Sequence, residues 1–555
     1  MTVETLQEAK DASVTSGRPV GFLAVVVAAL LIATSIPYVI CYRTAPPGQR
    51  FTGVLFVRVD TDSYYAWMNQ ARHGHWLFEN KYQPQPHAGA YFNAFWAALG
   101  GLARAAGISL EASLHVGRLA AGALLVMSFY AVSGFWLRTH RLRALALLLF
   151  IFGGGFGWAT AAVAAGLGLP HVMELDLTDP RQAAVFNFSM DLWAGFHPFM
   201  QVFLSTHFAL AHALYLYTLY CFLRSEASPS PRYALGAGAI LLVLSLSHPY
   251  DAVTALATCA LYAGVQMLRR RPLPVGRLLV MFGPPVAGLL YYVWLFKVHP
   301  YFKYWGRAAQ SIEPNLYVLF ALGLCGLIGL AQFLRLTLRP PAPGGRPVFL
   351  MCWLAAAVGL FGSYPVLKFS GQFGLVLMGP LVLMTAVALQ EFSERAGAGA
   401  RRRFYAAAAA LLILNSLTAP ILLYQRTASP QEFHVDERVI AALEWLNGQA
   451  PPHEAVLASE DVGLRVPVYT QNYVFLGHPH LCDDYDTRSR QVAEFFDGAG
   501  DEARRALLRE QGIAYVFHGP AERALGGFDP AAQPYLRRVY GDEAVAVYRV
   551  LREAL

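Results

Sequence analysis

The sequence predicts a polytopic α-helical membrane protein with a small α/β domain at its C-terminal end. Three observations lead there. Hydrophobic residues make up 56% of the 555-residue chain and charged residues only 14%, where soluble domains carry roughly a quarter. Apolar runs long enough to cross a bilayer, at about 20 residues per span, recur as far as residue 424. From Gln425 onward charged residues become common and no run could span a membrane. The formal charge of +7 does not point to nucleic acid, because cationic loops are usual in membrane proteins. Cys41, Cys221, Cys259, Cys325, Cys352 and Cys482 are scattered without paired spacing, which speaks against a disulfide framework or a zinc site.

Residues 1–18 are polar and of mixed charge, and read as a cytoplasmic tail. The run that follows, "PVGFLAVVVAALLIATSIPYVICY", is longer than a signal-peptide core and reads as a first span that also anchors the chain. Further runs lie near 112–137, 142–168, 201–223, 233–247, 250–268, 277–296, 315–334, 347–363, 372–390 and 404–424. With 19–42 they suggest roughly eleven spans. Alternate loops are arginine-rich: "RTHRLR", "RSEASPSPR", "RRRPLPVGR", "RLTLRPPAPGGR" and "SERAGAGARRR". The positive-inside rule places these in the cytoplasm. A transmembrane domain over 19–424 follows, with a first outside loop at 43–111 and an extracytoplasmic domain at 425–555. In that last domain "DERVIAALEWLNG" and "DEARRALLREQG" read as helices. "EAVLAS", "YVFLG", "IAYVFHG" and "AVAVYRV" read as strands, an α/β alternation. It holds no GxGxxG and no P-loop, so nothing in it points to a nucleotide.

The first outside loop carries the most informative stretch, "RVDTDSYYAWMNQARHGHW" (58–76). Tyr64, Trp67, Met68 and Ala71 share one helix face, with Asn69, Gln70, Arg72 and His73 opposite. Aromatics on the apolar face suit a membrane interface. A short helix lying on the outer leaflet is expected, starting at Asp62 or Ser63. As an N-cap, Asp62 would need no further role. A cap accounts for one carboxylate and leaves Asp60 over.

The pair of aspartates, "DSYYAWMNQARHG" and the aromatic "GAYFNAFWAALGGLARAAGIS" together resemble the GT-C superfamily of integral-membrane glycosyltransferases. That superfamily includes mannosyltransferases, arabinosyltransferases and oligosaccharyltransferases, and "DSYYAW" is similar to the D-x-Y-Y stretch of the last. In the tail, "VPVYTQNYVFLGHPH", "TRSRQVAEFF" and "IAYVFHGPAER" resemble the soluble ends of bacterial members. The resemblance implies transfer of a sugar from a polyprenyl-phosphate or -pyrophosphate carrier to an extracytoplasmic glycan, lipid or protein. The setting would be envelope glycan biosynthesis at the inner (plasma) membrane. It also implies Asp60 and Asp62 as the functional acidic pair, since an inverting displacement needs a carboxylate to take the acceptor's proton.

Other residues are candidates for supporting parts. Cations outside the membrane run against the positive-inside bias, which singles out Lys297, His299, Lys303, Arg307 and Lys368 for the donor phosphate; the competing reading is interface snorkelling. The second outside loop carries Glu174, Asp176, Asp179, Asp191 and His197, with His207 beyond it. By resemblance Asp191 and His197 would ligate a divalent cation (Mg or Mn), though many members of the superfamily use none. In "SHPYD", His248 and Asp251 read either as acceptor-side groups or as a capped helix start. His478, His480, Asp483, Asp484 and Asp486 beside Cys482 have no recognised ligand spacing, and read as a solvated loop or as a cover for the site. A transporter or flippase of lipid-linked sugars is a competing function, as is a glycan polymerase. Transporters often show paired halves with matching breaks, and the one glycine-rich break here, "FGGGFGW", has no counterpart.

Overall fold

The computed structural model describes residues 18–170, 178–192, 195–228, 230–271, 275–305, 316–340, 345–364, 366–367, 370–395, 397, 399–400, 402–403, 406, 416 and 433–555. The N-terminal tail, Glu174, Asp176, Arg307, Lys368 and all but two positions of the 404–424 run lie outside them.

Six helices among the described residues are long and apolar enough to cross a membrane: Pro19–Arg43, Leu110–Ser133, His140–Gly166, Pro249–Leu268, Val275–Lys297 and Tyr317–Leu338. Ser370–Val376 and Met378–Arg395 would add a seventh, bent by 43°. The remaining runs are helical but built differently. Arg232–Ser245 has 14 residues, about 21 Å at 1.5 Å per residue, short of a bilayer core of about 30 Å. The 201–223 run is cut at Ser205 into Pro198–Leu204 and Thr206–Ala227. The second of these lies inside the bundle, against the Leu110–Ser133 and Arg232–Ser245 helices. Hydropathy registers how apolar a run is and is blind to such breaks.

The break at "FGGGFGW" has a packing cause. The helix stops at Phe152 and resumes at Gly157, because the backbone there presses on a neighbour. A Cβ on Gly155 would sit 2.4 Å from the Ala321 carbonyl oxygen and 2.8 Å from the Asp191 carboxyl carbon. The neighbour is broken too. Within Leu316–Leu338, Gly323 takes φ 60°, ψ −170°, a conformation open to glycine and hardly any other residue. Two interrupted helices meet at their glycines.

Outside the spans, strand β1 (Gln49–Phe51) pairs antiparallel with β2 (His434–Asp436), tying the segment after the first long helix to the start of the tail. The expected surface helix is present but longer, Arg58–Arg72, and its environment differs. Val57, at φ 42°, precedes it, so neither Asp62 nor Ser63 caps it. Its apolar face packs on the Ala94–Ala106 helix, whose N-terminus is capped by Asn93. Contact is close enough that a Cβ on Gly100 would meet the Met68 carbonyl oxygen at 2.3 Å. Of its polar face, Asp62, Asn69 and Gln70 are buried as well and Arg72 is exposed, and the helix also packs on Glu460–Tyr469 of the tail. The helix is sandwiched in protein; the sequence around it could not reveal a partner 400 positions away.

The tail is the expected α/β domain. Strands β3 (Ala455–Leu457), β4 (Tyr473–Val474), β5 (Ile513–His518), β6 (Leu536–Gly541) and β7 (Ala546–Val550) form one sheet in the order β4-β3-β5-β7-β6. The pairs involving β3 are parallel and the rest antiparallel. β6, with exposed Arg537 and Arg538 on the sheet edge, carries too little apolar signal to be read from sequence.

Because Gly155 has backbone on one side and a carboxylate on the other, Gly155→Ala should force the two broken helices apart. The expected cost is about 1–3 kcal/mol, the range for overpacking. It would be read as a lower melting temperature of detergent-solubilised protein, and unchanged melting would mean that the loop has room to give.

Candidate functional site

On an α-helix, residues two apart point about 200° away from each other. Once 58–72 is helical, Asp60 and Asp62 cannot act as a single chelating pair, and the structure places them in opposite environments. Asp60 is half-exposed and lies on the wall of a cleft where the Arg58–Arg72 helix meets the long apolar helices. The cleft holds about 590 Å³ of open space, counting the part that faces solvent. Its walls include Tyr38, Tyr64, Trp96, His115, Arg118 and His207. Tyr64 stacks on Trp96 at 4.4 Å between ring centroids, and His207 meets Tyr64 edge-on at 5.0 Å.

Asp62 is buried and outside the cleft lining. Around it lie Arg58, Arg465 and Asp461. Arg58 Nη1 is 2.6 Å from Asp461 Oδ1, and Arg465 pairs with the other oxygen of Asp461. Asp62 Oδ2 has no hydrogen-bond partner.

The tail supplies the partner of Asp60. His478 follows β4, buried, with Nε2 3.2 Å from Asp60 Oδ1. The backbone N–H of His480 donates to His478 Nδ1 at 3.1 Å. A ring nitrogen that accepts carries no proton, so the proton sits on Nε2 and is donated to Asp60. The loop itself is pinned to the segment that follows the Arg58–Arg72 helix. Val474 N–H donates to the Lys81 carbonyl at 2.9 Å, and Asn80 and Gln83 both donate to the Leu481 carbonyl. Of the other tail residues, Asp483 pairs with Arg488, whereas Asp484 and Asp486 are exposed.

The remaining sequence candidates fall elsewhere. His248 Nδ1 lies 3.3 Å from Asp251 Oδ2, both buried at the start of Pro249–Leu268. Asp251 thus turns to the histidine, which stands behind His207 at 6.1 Å between rings. Asp191 Oδ2 accepts from the Gly157 N–H at 3.2 Å, and His197 Nε2 donates to the Ala321 carbonyl at 2.8 Å. Both brace the glycine break. No group of three metal-ligating side chains occurs among the described residues, and no step is assigned to a metal. Asp179 caps the Pro180–Phe188 helix. Lys297 and Lys303 are exposed, His299 lies among Trp294, Tyr301 and Phe302, and none of the three lines the cleft. The cation that does is Arg118, hidden from loop-based reasoning inside the 112–137 run. An ionisable residue in such a run is itself a signal.

Burial pushes the Asp62 carboxyl from its ordinary 3.8 up to about 6, against the pull of Arg465 and Arg58. A carboxyl raised in the fold favours the fold while protonated. Its contribution is complete below about pH 4 and is lost as pH rises through about 6. The shift corresponds to about 3 kcal/mol. Asp62→Asn should therefore melt progressively higher than wild type as pH goes from 4 to 8; parallel melting curves would contradict this.

No family model and no curated protein sequence matches the chain. Solved structures do. The apo crystal structure of the Archaeoglobus fulgidus oligosaccharyltransferase matches with a TM-score of 0.51 at 12% identity, over 92% of this chain and 73% of that one. The cryo-EM structure of arabinofuranosyltransferase AftD from Mycobacteria matches with a TM-score of 0.55 at 14% identity, over 97% of this chain and 40% of AftD. Identities this low speak for fold alone. Both structures are of GT-C glycosyltransferases, and with its apolar helices and C-terminal α/β unit this chain is a multi-pass membrane protein of the GT-C fold.

Proposed function

We propose that the protein is an inverting membrane glycosyltransferase that moves a sugar from a polyprenyl-phosphate or -pyrophosphate donor to an extracytoplasmic glycan, lipid or protein. It would work at the outer face of the inner membrane. The observation that carries this reading is Asp60, a carboxylate on a cleft wall held by a hydrogen bond from His478. Asp60 takes the proton of the acceptor hydroxyl or amide as that atom attacks the anomeric carbon. The bond from that carbon to the phosphate oxygen breaks with its electrons going to phosphate. His478 is a positioning residue: its Nε2–H fixes one carboxylate oxygen and leaves the other for the acceptor. The fold likeness supports the choice of reaction class, and the arginine-rich alternate loops support the orientation.

Asp60→Asn should fold and lose about 10²–10⁴-fold in glycosidic product, the range for removing a general base. The assay follows product formation and not lipid translocation, so that a flippase would be recognised. Wild-type product from Asp60→Asn would end the base assignment. His478→Ala should slow transfer, with His478→Gln restoring part of it, since the glutamine amide can reach the same position. Added to Asp60→Asn, His478→Ala should cost nothing further. An equal cost on both backgrounds would make His478 structural only.

Topology is tested separately. Reporters fused after Arg143, Arg271 and Arg403 should report cytoplasm and one after Pro430 the outside; a cytoplasmic tail would place the cleft on the wrong side for such a donor.

A further inference from the structure

Arg118 sits inside a membrane-spanning helix, Leu110–Ser133, and is 4% exposed. Its guanidinium stays charged in any protein environment, so its position needs an explanation. Nη1 donates to the carbonyl of Thr34 at 3.2 Å and to its Oγ1 at 2.9 Å, and Nη2 donates to Ser35 Oγ at 2.8 Å. The Tyr38 ring lies 4.7 Å from Cζ. Every one of these partners is neutral. Nε makes no hydrogen bond, and no carboxylate lies within ion-pair distance of Arg118 among the described residues.

A buried arginine is ordinarily matched by an acid or another anion. Here the counter-charge is missing although the residue lines an open cleft. One turn earlier on the same face, His115 also lines the cleft; Tyr42 Oη lies 3.3 Å from its Nε2, and its Nδ1 has no partner. Two donors three residues apart on one helix face, one of them cationic, form a receptor for a small oxyanion. The rest of the lining includes Leu114, Leu204 and Phe208, apolar side chains suited to a hydrocarbon chain beside the anion.

We infer that Arg118, with His115, binds the phosphate of a polyprenyl-phosphate lipid in this cleft, between the first two long apolar helices. The inference rests on the proposed transfer reaction for its direction: a phosphate held by Arg118 leaves its sugar in the cavity that Asp60 also lines. A polyprenyl-phosphate sugar is a phosphodiester with one negative charge, which one arginine neutralises.

The test uses the full chain in detergent and polyprenyl phosphate as probe, with polyprenol of the same length, phosphatidylglycerol and inorganic phosphate as comparisons. Wild type should bind polyprenyl phosphate at least tenfold more tightly than the alcohol. Arg118→Met should abolish that preference and Arg118→Lys should keep part of it. Thr34→Val, which removes a helix–helix hydrogen bond and keeps the charge, should retain the preference. Because Arg118→Met could unfold, a photoreactive polyprenyl phosphate is also cross-linked to wild type; adducts should map to 34–38 and 114–118. Adducts confined to other segments, or undiminished phosphate preference in folded Arg118→Met, would overturn the site. So would equal Arg118-dependent binding of phosphatidylglycerol or inorganic phosphate. Binding that meets these expectations in a protein forming no glycosidic product would keep the site and remove the transferase reading.

Discussion

An amphipathic helix must hide its apolar face and normally leaves the other in water. The Arg58–Arg72 helix hides much of both, and the docking of the tail depends on that. Its polar face carries Asn69, whose amide donates to the carbonyls of Pro467 and Thr470. Buried polar groups cost little only when they are satisfied, so this face specifies one way for the tail to dock. The β1–β2 pair and the bonds to the Leu481 carbonyl repeat the specification at two further points.

Docking has a chemical consequence. It brings His478 to Asp60 across 418 positions of sequence. The Asp60 carboxylate is held by a residue of the C-terminal domain, while the same cleft is lined by Arg118 and His207 of the helical bundle. The site therefore exists only where both halves of the chain meet.

Within the membrane half, two broken helices meet at the glycine break. Interior helices normally present side chains to one another; at Gly154, Gly155 and Gly323 they present backbone. Asp191 and His197 then serve as braces, satisfying the Gly157 N–H and the Ala321 carbonyl that broken helices leave without their usual partners.

The apolar runs, the arginine-rich loops and the change of character after residue 424 identified a polytopic chain with an α/β tail, because bilayer thickness and strand or helix periodicity act locally. The pair Asp60 and Asp62 was legible as residues that matter. Which of them faces a cleft was not: that follows from a helix beginning at Arg58, five residues earlier than a cap at Asp62 would place it. Local pattern likewise could not tell that the helix's polar face meets protein, since its partner, Glu460–Tyr469, is set by the docking of a distant domain. Arg118 stood in plain view within an apolar run, and only the packing of Thr34, Ser35 and Tyr38 around it reveals a charge with no counter-charge. Sequence determined what each segment could bury; tertiary structure decided which polar groups it buried together.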